Sequence, residues 1–327
     1  MSLAAIVPVW NGRPLVEKLL ASLAKQTLRA DELVVVDNGS TDGAPEAARA
    51  CGARVIGMGR NAGFAAAVNR GIRETRAEWI AVLNSDVELA PDYFALLTAS
   101  SGWFATGRIL AAGNPSHIDG TFDLVCRGGT PWRAGSGQAD GPAWEMRRRI
   151  WSAPWTAAVF RAALFEKTGL LEERFESYLE DVDFGLRCAA LNLAGEYVPE
   201  AVAWHRGSAA LGRWHKETVR RMARNQVWLL ARHYSRSDLL HCAWPVAVAQ
   251  LLWGLVALRH GVGIAWFHGK CQGLRSFPEV RRNSGCYHAE LLERLRTNES
   301  LIHKMQAPGE SDFYWRLYFL LTTREAK

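Results

Sequence analysis

The chain has no C-x-x-C pair, and its six cysteines (Cys51, Cys126, Cys188, Cys242, Cys271 and Cys286) stand far apart. Such spacing excludes a zinc knuckle and a disulfide framework, and it fits a reducing compartment. No G-x-G-x-x-G opens a helix, and no G-x-x-x-x-G-K-[ST] occurs, so hydride transfer on a dinucleotide and P-loop ATP hydrolysis lose their main support. No basic n-region precedes the apolar start at Leu3, so no signal peptide is expected. A membrane span needs about 20 predominantly apolar residues. The uncharged stretch Cys242–Leu258 falls short of that and is interrupted by Pro245, Gln250 and Gly254. It reads either as an interfacial or re-entrant segment or as a buried core helix. No internal repeat is present.

What is present suits a folded globular protein. Of 327 residues, 49% are hydrophobic and 22% charged, enough for one large or two modest domains. Lys plus Arg exceed Asp plus Glu by 39 to 33, a small excess concentrated in one place. Arg206, Arg213, Lys216, Arg220, Arg221, Arg224, Arg232 and Arg236 face only Glu217. This segment suits phosphates or an anionic bilayer, or it is a solvated helix face. No nucleic-acid partner is expected. Tryptophan is abundant, with Trp132, Trp144, Trp151 and Trp155 crowded together. Such residues stack on sugars, sit at membrane interfaces or fill cores.

Short apolar runs alternate with helical periodicity over the first hundred residues. Strands are predicted at Ala4–Val9, Leu33–Val36, Arg54–Met58 and Trp79–Leu83, and helices at Arg13–Lys25, up to Cys51, and at Phe64–Thr75. The alternation predicts a parallel sheet with right-handed crossovers, whose ligands bind at the carboxyl ends of the strands. Between Ser100 and Ile150 the pattern loosens, and the glycine-rich stretch 128–141 reads as a flap or an acceptor-side insertion. Order returns with a helix over Leu179–Leu191, a strand over Tyr197–Trp204, a basic helix over Glu217–Tyr234 and a helical, polar end.

Polar clusters follow the apolar runs. Asp37 closes a strand, where a carboxylate accepts the imide N–H of uracil or thymine, or merely shapes a turn. Arg60-Asn61-Ala62-Gly63 leads into a helix whose first-turn N–H groups suit a diphosphate, with Gly63 permitting close approach. Asn84-Ser85-Asp86 ends another strand, and Asp86 there either holds Mg²⁺ or Mn²⁺ together with diphosphate oxygens or forms a turn. Glu180-Asp181-Val182-Asp183 opens a helix on which Asp183 and Arg187 can pair. Asp181, kept anionic by the helix dipole, can act as general base, or the cluster is a plain acidic helix start. His205 can complete the cation site, with His215 and His233 as competitors.

Together these residues resemble the family 2 glycosyltransferases, in particular their bacterial rhamnosyltransferase-like members. The resemblance runs in order through Ile6-Val7-Pro8-Val9-Trp10-Asn11, Glu32 to Asp42, Asn61 to Asn69, Leu83 to Val87, Tyr178 to Arg187 and Tyr197 to Ser208. It implies the GT-A fold, an α/β architecture with a central mostly parallel mixed sheet flanked by helices, plus a C-terminal helical region. It implies a catalytic domain over 1–235 (a nucleotide-sugar half at 1–100, an acceptor and catalytic half at 101–235) and a membrane-associating region at 236–327. Pro8, Asn11 and Asp37 match base and ribose positions, and Arg60, Asn61, Gly63 and Asn69 the donor-side segment. Asp86 matches the last Asp of the metal motif, with Asn84 where the first Asp would stand and Ser85 between them. His205 matches a histidine that completes the metal site, and Glu180-Asp181 the acidic motif with Asp181 as base.

The implied activity is inverting transfer of rhamnose or a hexose, assisted by Mg²⁺ or Mn²⁺. The donor is a dTDP- or UDP-linked sugar and the acceptor a glycan or polyprenyl-pyrophosphate-linked sugar, in cell-surface polysaccharide synthesis. The expected location is the inner face of the cytoplasmic membrane, held peripherally. A sugar nucleotidyltransferase and a catalytically silent glycan-binding scaffold are the rivals. The first is disfavoured by Trp10-Asn11-Gly12-Arg13-Pro14, a poor match to a glycine-rich basic loop, and the second by the intact Asp86, Asp181 and His205.

Overall fold

The computed structural model describes residues 1–207, 212, 214–284, 290–306 and 312–323. Ser208, Arg213 and Cys286, named above, lie outside the described residues, as do parts of the C-terminal region. Two compact units divide the chain: Met1–Phe122 with Gly135–Ala210, and Asp123–Ala134 with Leu211–Lys327. The second cut falls before the basic helix, whereas the sequence reading drew its boundary after it.

In chain order the elements begin β1 (Leu3–Val9), α1 (Arg13–Leu23), β2 (Glu32–Asp37), α2 (Ala44–Ala50), β3 (Arg54–Gly57), α3 (Phe64–Arg73), β4 (Trp79–Leu83), β5 (Val87–Leu89), α4 (Tyr93–Thr98), β6 (Phe104–Ala111) and β7 (Asn114–Gly120). They continue through β8 (Asp123–Val125), β9 (Pro131–Arg133), β10 (Arg148–Ile150), β11 (Ala157–Arg161), α5 (Ala162–Thr168), α6 (Glu180–Ala190) and β12 (Gly195–His205). The chain ends with α7 (Lys216–His233), α8 (Arg236–His241), α9 (Ala243–Arg259), α10 (Gly263–Arg282), α11 (Leu291–Met305) and α12 (Phe313–Thr322).

The first unit holds a mixed sheet in the order β10-β12-β6-β11-β4-β1-β2-β3, with β5 on β12 and β7 on β6. Every residue of β1 is buried, as a parallel strand covered on both faces requires. It pairs in parallel with β2 and β4, and β2 with β3. Val7, Val35, Ala81, Leu83 and Val159 share a core with Val16, Leu19 and Leu20 of α1. The antiparallel β11 then joins β4 to β6, and β12 runs parallel to β6. Thus β1, β2, β4, β6 and β12 all deliver their carboxyl ends to one edge.

β6 and β7 occupy a region expected to be loose. Gly107 and Arg108 break the apolar run of β6, and β7 is polar at its start. The glycine is there because a Cβ on it would lie 2.0 Å from the Ala201 carbonyl, at the irregular pairing of β6 with β12. Trp132, Trp144 and Trp155 are core residues, and Trp155 packs against Phe160 and Phe184.

In the second unit, α7 lies along α10, with Gly269 and Gly273 of α10 against Arg220, Ala223, Arg224 and Val227. The basic helix is therefore not the open phosphate or solvent face its composition suggested. Arg224 and Arg232 are buried, Arg224 stacks over Trp228 at 4.4 Å, and Arg220 and Arg221 bond Glu217. The β8–β9 hairpin belongs to this unit: Arg127 pairs with Glu299 at 2.5 Å, and Tyr314 Oη donates to Thr130 Oγ1 at 2.9 Å. In α9, Val248, Ala249, Leu252 and Ala257 are buried while Leu251, Leu255 and Leu258 are exposed. Among the described residues no helix is long and apolar enough to cross a membrane.

Candidate active site

The ends of β1 and β2 are braced to each other. Asn11, in left-handed backbone at φ 60°, donates its N–H to Ser40 Oγ (2.9 Å) and accepts from the Thr41 N–H at Oδ1 (2.9 Å). Asp37 Oδ1 accepts the Ser40 N–H at 2.8 Å and forms a turn. Pro8 is buried within β1, opposite Val36.

The donor-side segment differs from expectation. Several N–H groups at and just before the start of α3 are taken up by the protein itself. Ala62 N–H donates to Asn38 Oδ1, Gly63 N–H to Asn61 Oδ1, Phe64 N–H to Ser177 Oγ and Ala65 N–H to the Glu176 carbonyl. Arg60 and Asn61 are exposed beside this turn. Gly63 allows a close approach within the chain: at φ 91°, a Cβ on it would sit 2.7 Å from the Glu176 oxygen. Asn69 is likewise an internal strut. At 1% exposure, its Nδ2 donates to the Leu171 carbonyl and Glu173 Oε1, and its Oδ1 accepts the Leu171 N–H. The buried Asn38, whose amide bridges to the Ala62 N–H and the Gly63 carbonyl, is the residue sequence reasoning passed over.

A Gly63→Ala variant is expected to lose on the order of 2–4 kcal/mol of stability, combining left-handed strain with overpacking. Urea unfolding monitored by far-UV circular dichroism measures it. A loss below about 0.5 kcal/mol, the scale of an ordinary surface change, would contradict the packing described.

Asp86 and His205 meet because β5 pairs with β12, placing His205 opposite Val87. His205 Nε2 lies 3.1 Å from Asp86 Oδ1, and its Nδ1 lies 2.8 Å from Asp119 Oδ2. The side-chain amide of Asn84 lies 3.4 Å from Nε2, and Ser85 stands half-buried between Asn84 and Asp86. Burial pulls the imidazole toward neutrality. Hydrogen bonds to Asp119 and then Asp86 outweigh that and hold its pKa up at about 9. Asp119, on β7, had no sequence signal, being 86 positions from its partner. It fixes the ring through Nδ1 and turns Nε2 toward Asp86, the arrangement in which carboxylates orient metal-binding histidines. Among the described residues no three His, Cys, Asp or Glu side chains are placed to hold a metal ion. Asp86 and His205 are the two side chains here that could face a cation, which would have to draw its remaining oxygens from a diphosphate and water. His215 caps α7 and His233 is buried, both in the second unit.

Asp181 lies in the first turn of α6, which follows a strained turn. Glu176, Tyr178 and Leu179 all have positive φ (62°, 74° and 69°), conformations that cost about 1–3 kcal/mol each and that cluster at functional sites. Glu176 and Ser177 are pinned to the start of α3. On the other side, Ser152 closes on Gly185, and Thr156 accepts the Asn84 N–H through its carbonyl at 2.8 Å. The turn is fastened to the start of α3, which Asn38 joins to the end of β2. Asp181 is half-buried and its Oδ1 accepts the Val182 N–H at 2.9 Å, while Glu180 is 6% exposed. The Asp183–Arg187 pair expected from its spacing is present at 3.1 Å and fully buried.

Residues 4–101 match the profile of Glycosyl transferase family 2. The N-acetylglucosaminyl-diphospho-decaprenol L-rhamnosyltransferase of Mycobacterium tuberculosis is 29% identical over 249 residues, 64% of this chain and 78% of its own length. The putative glycosyltransferase EpsH of Bacillus subtilis is 31% identical over 106 residues, 31% of this chain and 30% of its own. Two solved structures share the fold. The first, GalNAc-T7 with UDP, GalNAc and Mn²⁺, has a TM-score of 0.61 at 14% identity over 85% of this chain and 56% of that one. The second is the mannosyltransferase PcManGT of Pyrobaculum calidifontis with GDP-Man and Mn²⁺, with a TM-score of 0.51 at 17% identity over 97% of this chain and 86% of that one.

Proposed function

This chain is a family 2 glycosyltransferase, and from that premise we propose that it moves rhamnose or a hexose from a dTDP- or UDP-linked donor to a polyprenyl-diphosphate-linked sugar. The observation that carries the proposal is the imidazole of His205 held between Asp86 and Asp119 where β5 meets the carboxyl end of β12. The mycobacterial relative, whose name specifies a rhamnosyl transfer to a diphospho-decaprenol-linked N-acetylglucosamine, supports the donor and acceptor classes.

In this reading transfer is a single displacement with inversion. The acceptor hydroxyl oxygen bonds to the anomeric carbon as the bond from that carbon to the diphosphate oxygen breaks. The hydroxyl proton passes to Asp181. Asp86 and His205 are the residues that would hold Mg²⁺ or Mn²⁺, which when bound neutralises charge on the diphosphate. Nε2 must release its proton for this, so cation binding is coupled to deprotonation. Asp119 keeps the ring oriented. Asp37 and Asn11, at the ends of β2 and β1, lie where the base and ribose would rest. Pro8 supports them from inside the strand, Arg60 and Asn61 border the donor, and Ser85 and Glu180 flank the reacting groups. The acceptor's lipid places the enzyme peripherally at the inner face of the cytoplasmic membrane.

The test is a thermal-shift panel of dTDP- and UDP-sugars with and without Mn²⁺, since a ligand of the folded state raises the melting temperature by mass action. One nucleotide is expected to stabilise the protein more with Mn²⁺ than without, and Asp86→Ala is expected to remove that increment. An increment that survives in Asp86→Ala would take the residue out of this role. Pyrophosphate release from a nucleoside triphosphate and a sugar phosphate would replace the reading with nucleotidyl transfer.

A further inference from the structure

β7 does not follow β6 evenly. Ile109 stands opposite Gly120 and Leu110 opposite Ile118, so Asp119 is an extra residue with no opposite number on β6. It is the bulged residue of this ladder, and bulges beside functional sites re-aim side chains. Here two neighbours go separate ways. Asp119 Oδ2 reaches His205 Nδ1 at 2.8 Å. Ile118 packs instead on Gly135, where a Cβ would lie 2.7 Å from Ile118 Cγ2 and 3.2 Å from Trp144 Cζ2. A bulge interrupts its ladder, and a slip of one residue would send Asp119 to the other face. Residues 135–145 oppose that slip as a strap. Ile118 N–H donates to the Gln138 carbonyl at 2.9 Å, and the Ile118 carbonyl accepts the Gly137 N–H at 2.9 Å. Asp140 N–H donates to the Ser116 carbonyl at 2.8 Å. The strap is gripped in turn by Arg108 of β6, whose Nη1 lies 3.2 Å from Asp140 Oδ1 and 3.8 Å from Glu145 Oε1. Beyond that grip, the Trp144 carbonyl accepts from Tyr197 Oη at 2.6 Å, and Tyr197 lies on β12, the strand that ends in His205.

We propose that Arg108 is a positioning residue for sugar transfer: by pinning the 135–145 strap to β6, it holds the Asp119 bulge in register, keeps that carboxylate on His205 and so keeps Nε2 facing Asp86. Arg108 touches neither His205 nor Asp86 in this account and acts through the strap alone. A guanidinium only 18% exposed in the middle of a strand is unfavourable unless it is paired. Pairs of this kind are best attested where they fix register rather than where they add stability. The strap therefore has a use that its glycines concealed. Residues 135–141, read from the sequence as part of a flap or an acceptor-side insertion, are bonded to the strand that carries Asp119. The inference rests on the proposed reading in one respect, that Asp86 and His205 serve a cation.

The experiment reads the imidazole before any cation is present. In the full chain without metal, the Nδ1 proton that His205 donates to Asp119 is expected to give a far-downfield proton resonance, the mark of a charge-assisted hydrogen bond, assigned by its loss in His205→Gln. Arg108→Met is expected to remove that resonance through exchange with water. It is also expected to weaken Mn²⁺ binding in the presence of UDP or dTDP by about tenfold, the low end of what disturbing a metal ligand's supporting partner costs. Electron paramagnetic resonance of free Mn²⁺ measures this. Nucleotide affinity without metal is expected to stay unchanged, and Arg108→Lys to restore both signals. Should Arg108→Met fail to fold, Asp140→Asn/Glu145→Gln removes the same grip from the strap side. A folded variant that keeps the resonance and the Mn²⁺ affinity overturns the inference, even if it melts lower. So does a wild-type protein that lacks the resonance. A parallel loss of metal-free nucleotide affinity also overturns it, by making Arg108 a general support of the donor site. A resonance that follows Arg108 in a protein that binds no Mn²⁺ with either nucleotide sinks the proposed cation role and leaves the positioning of the ring standing.

Discussion

Asp181→Asn is expected to lower sugar transfer by about 10²–10⁴-fold, the range that loss of a positioned general base costs, while nucleotide affinity stays unchanged. The substitution keeps the side chain's shape and its acceptance of the Val182 N–H at the start of α6, and it removes the negative charge and with it the ability to take a proton. The strained run at Glu176, Tyr178 and Leu179 should persist, because it is pinned by Ala65 and Phe64 from α3. Single-turnover transfer and nucleotide titration by calorimetry separate the two quantities. Near wild-type turnover in a folded Asp181→Asn protein would exclude Asp181 as the base. Loss of nucleotide affinity in parallel with turnover would make it a donor-binding residue instead.

The second large effect is on stability. Arg187→Met is expected to cost about 3–5 kcal/mol, the cost of breaking a buried ion pair from one side. Arg187 bonds Asp183 at 3.1 Å and also donates to the Thr168 carbonyl at 2.6 Å, and both charged side chains are almost wholly out of solvent. The substitution leaves a buried carboxylate without its guanidinium. Adding Asp183→Leu is expected to recover most of the loss, since an apolar pair of similar volume avoids the desolvation that the ions incur. Denaturant midpoints of the two single variants and the double variant measure this. Strictly additive losses would show that the pair is not coupled.

Both predictions rest on features of different legibility. Asp183 and Arg187 are four residues apart on one helix, so periodicity alone brought them together. The strands β1, β2 and β4 were equally readable, because parallel strands buried on both faces are continuous apolar runs with abrupt polar ends. β6 was not, since Gly107 is required by the Ala201 backbone and the break it makes looks like a loop. The start of α3 illustrates the opposite failure. Its local sequence advertises free N–H groups, but the acceptors that occupy them come from Glu176 and Ser177, more than a hundred residues downstream. Asp119 was invisible for the same reason: a β7 carboxylate acquires meaning only when β6 and β12 bring His205 to it. Local spacing identified which residues carry chemistry. It could not say which polar groups the fold itself consumes.

The β8–β9 hairpin has a bearing on how this protein is made. Asp123–Ala134 leaves the first compact unit, joins the second, and the chain then returns. Its anchors, Glu299, Tyr314 and Tyr318, lie far downstream of it in the chain. During synthesis the hairpin must wait, undocked, until the helices that carry them have emerged. Gene fragments ending near residue 235 would leave it permanently without those anchors, so the helical region cannot be trimmed away as though it were a tail.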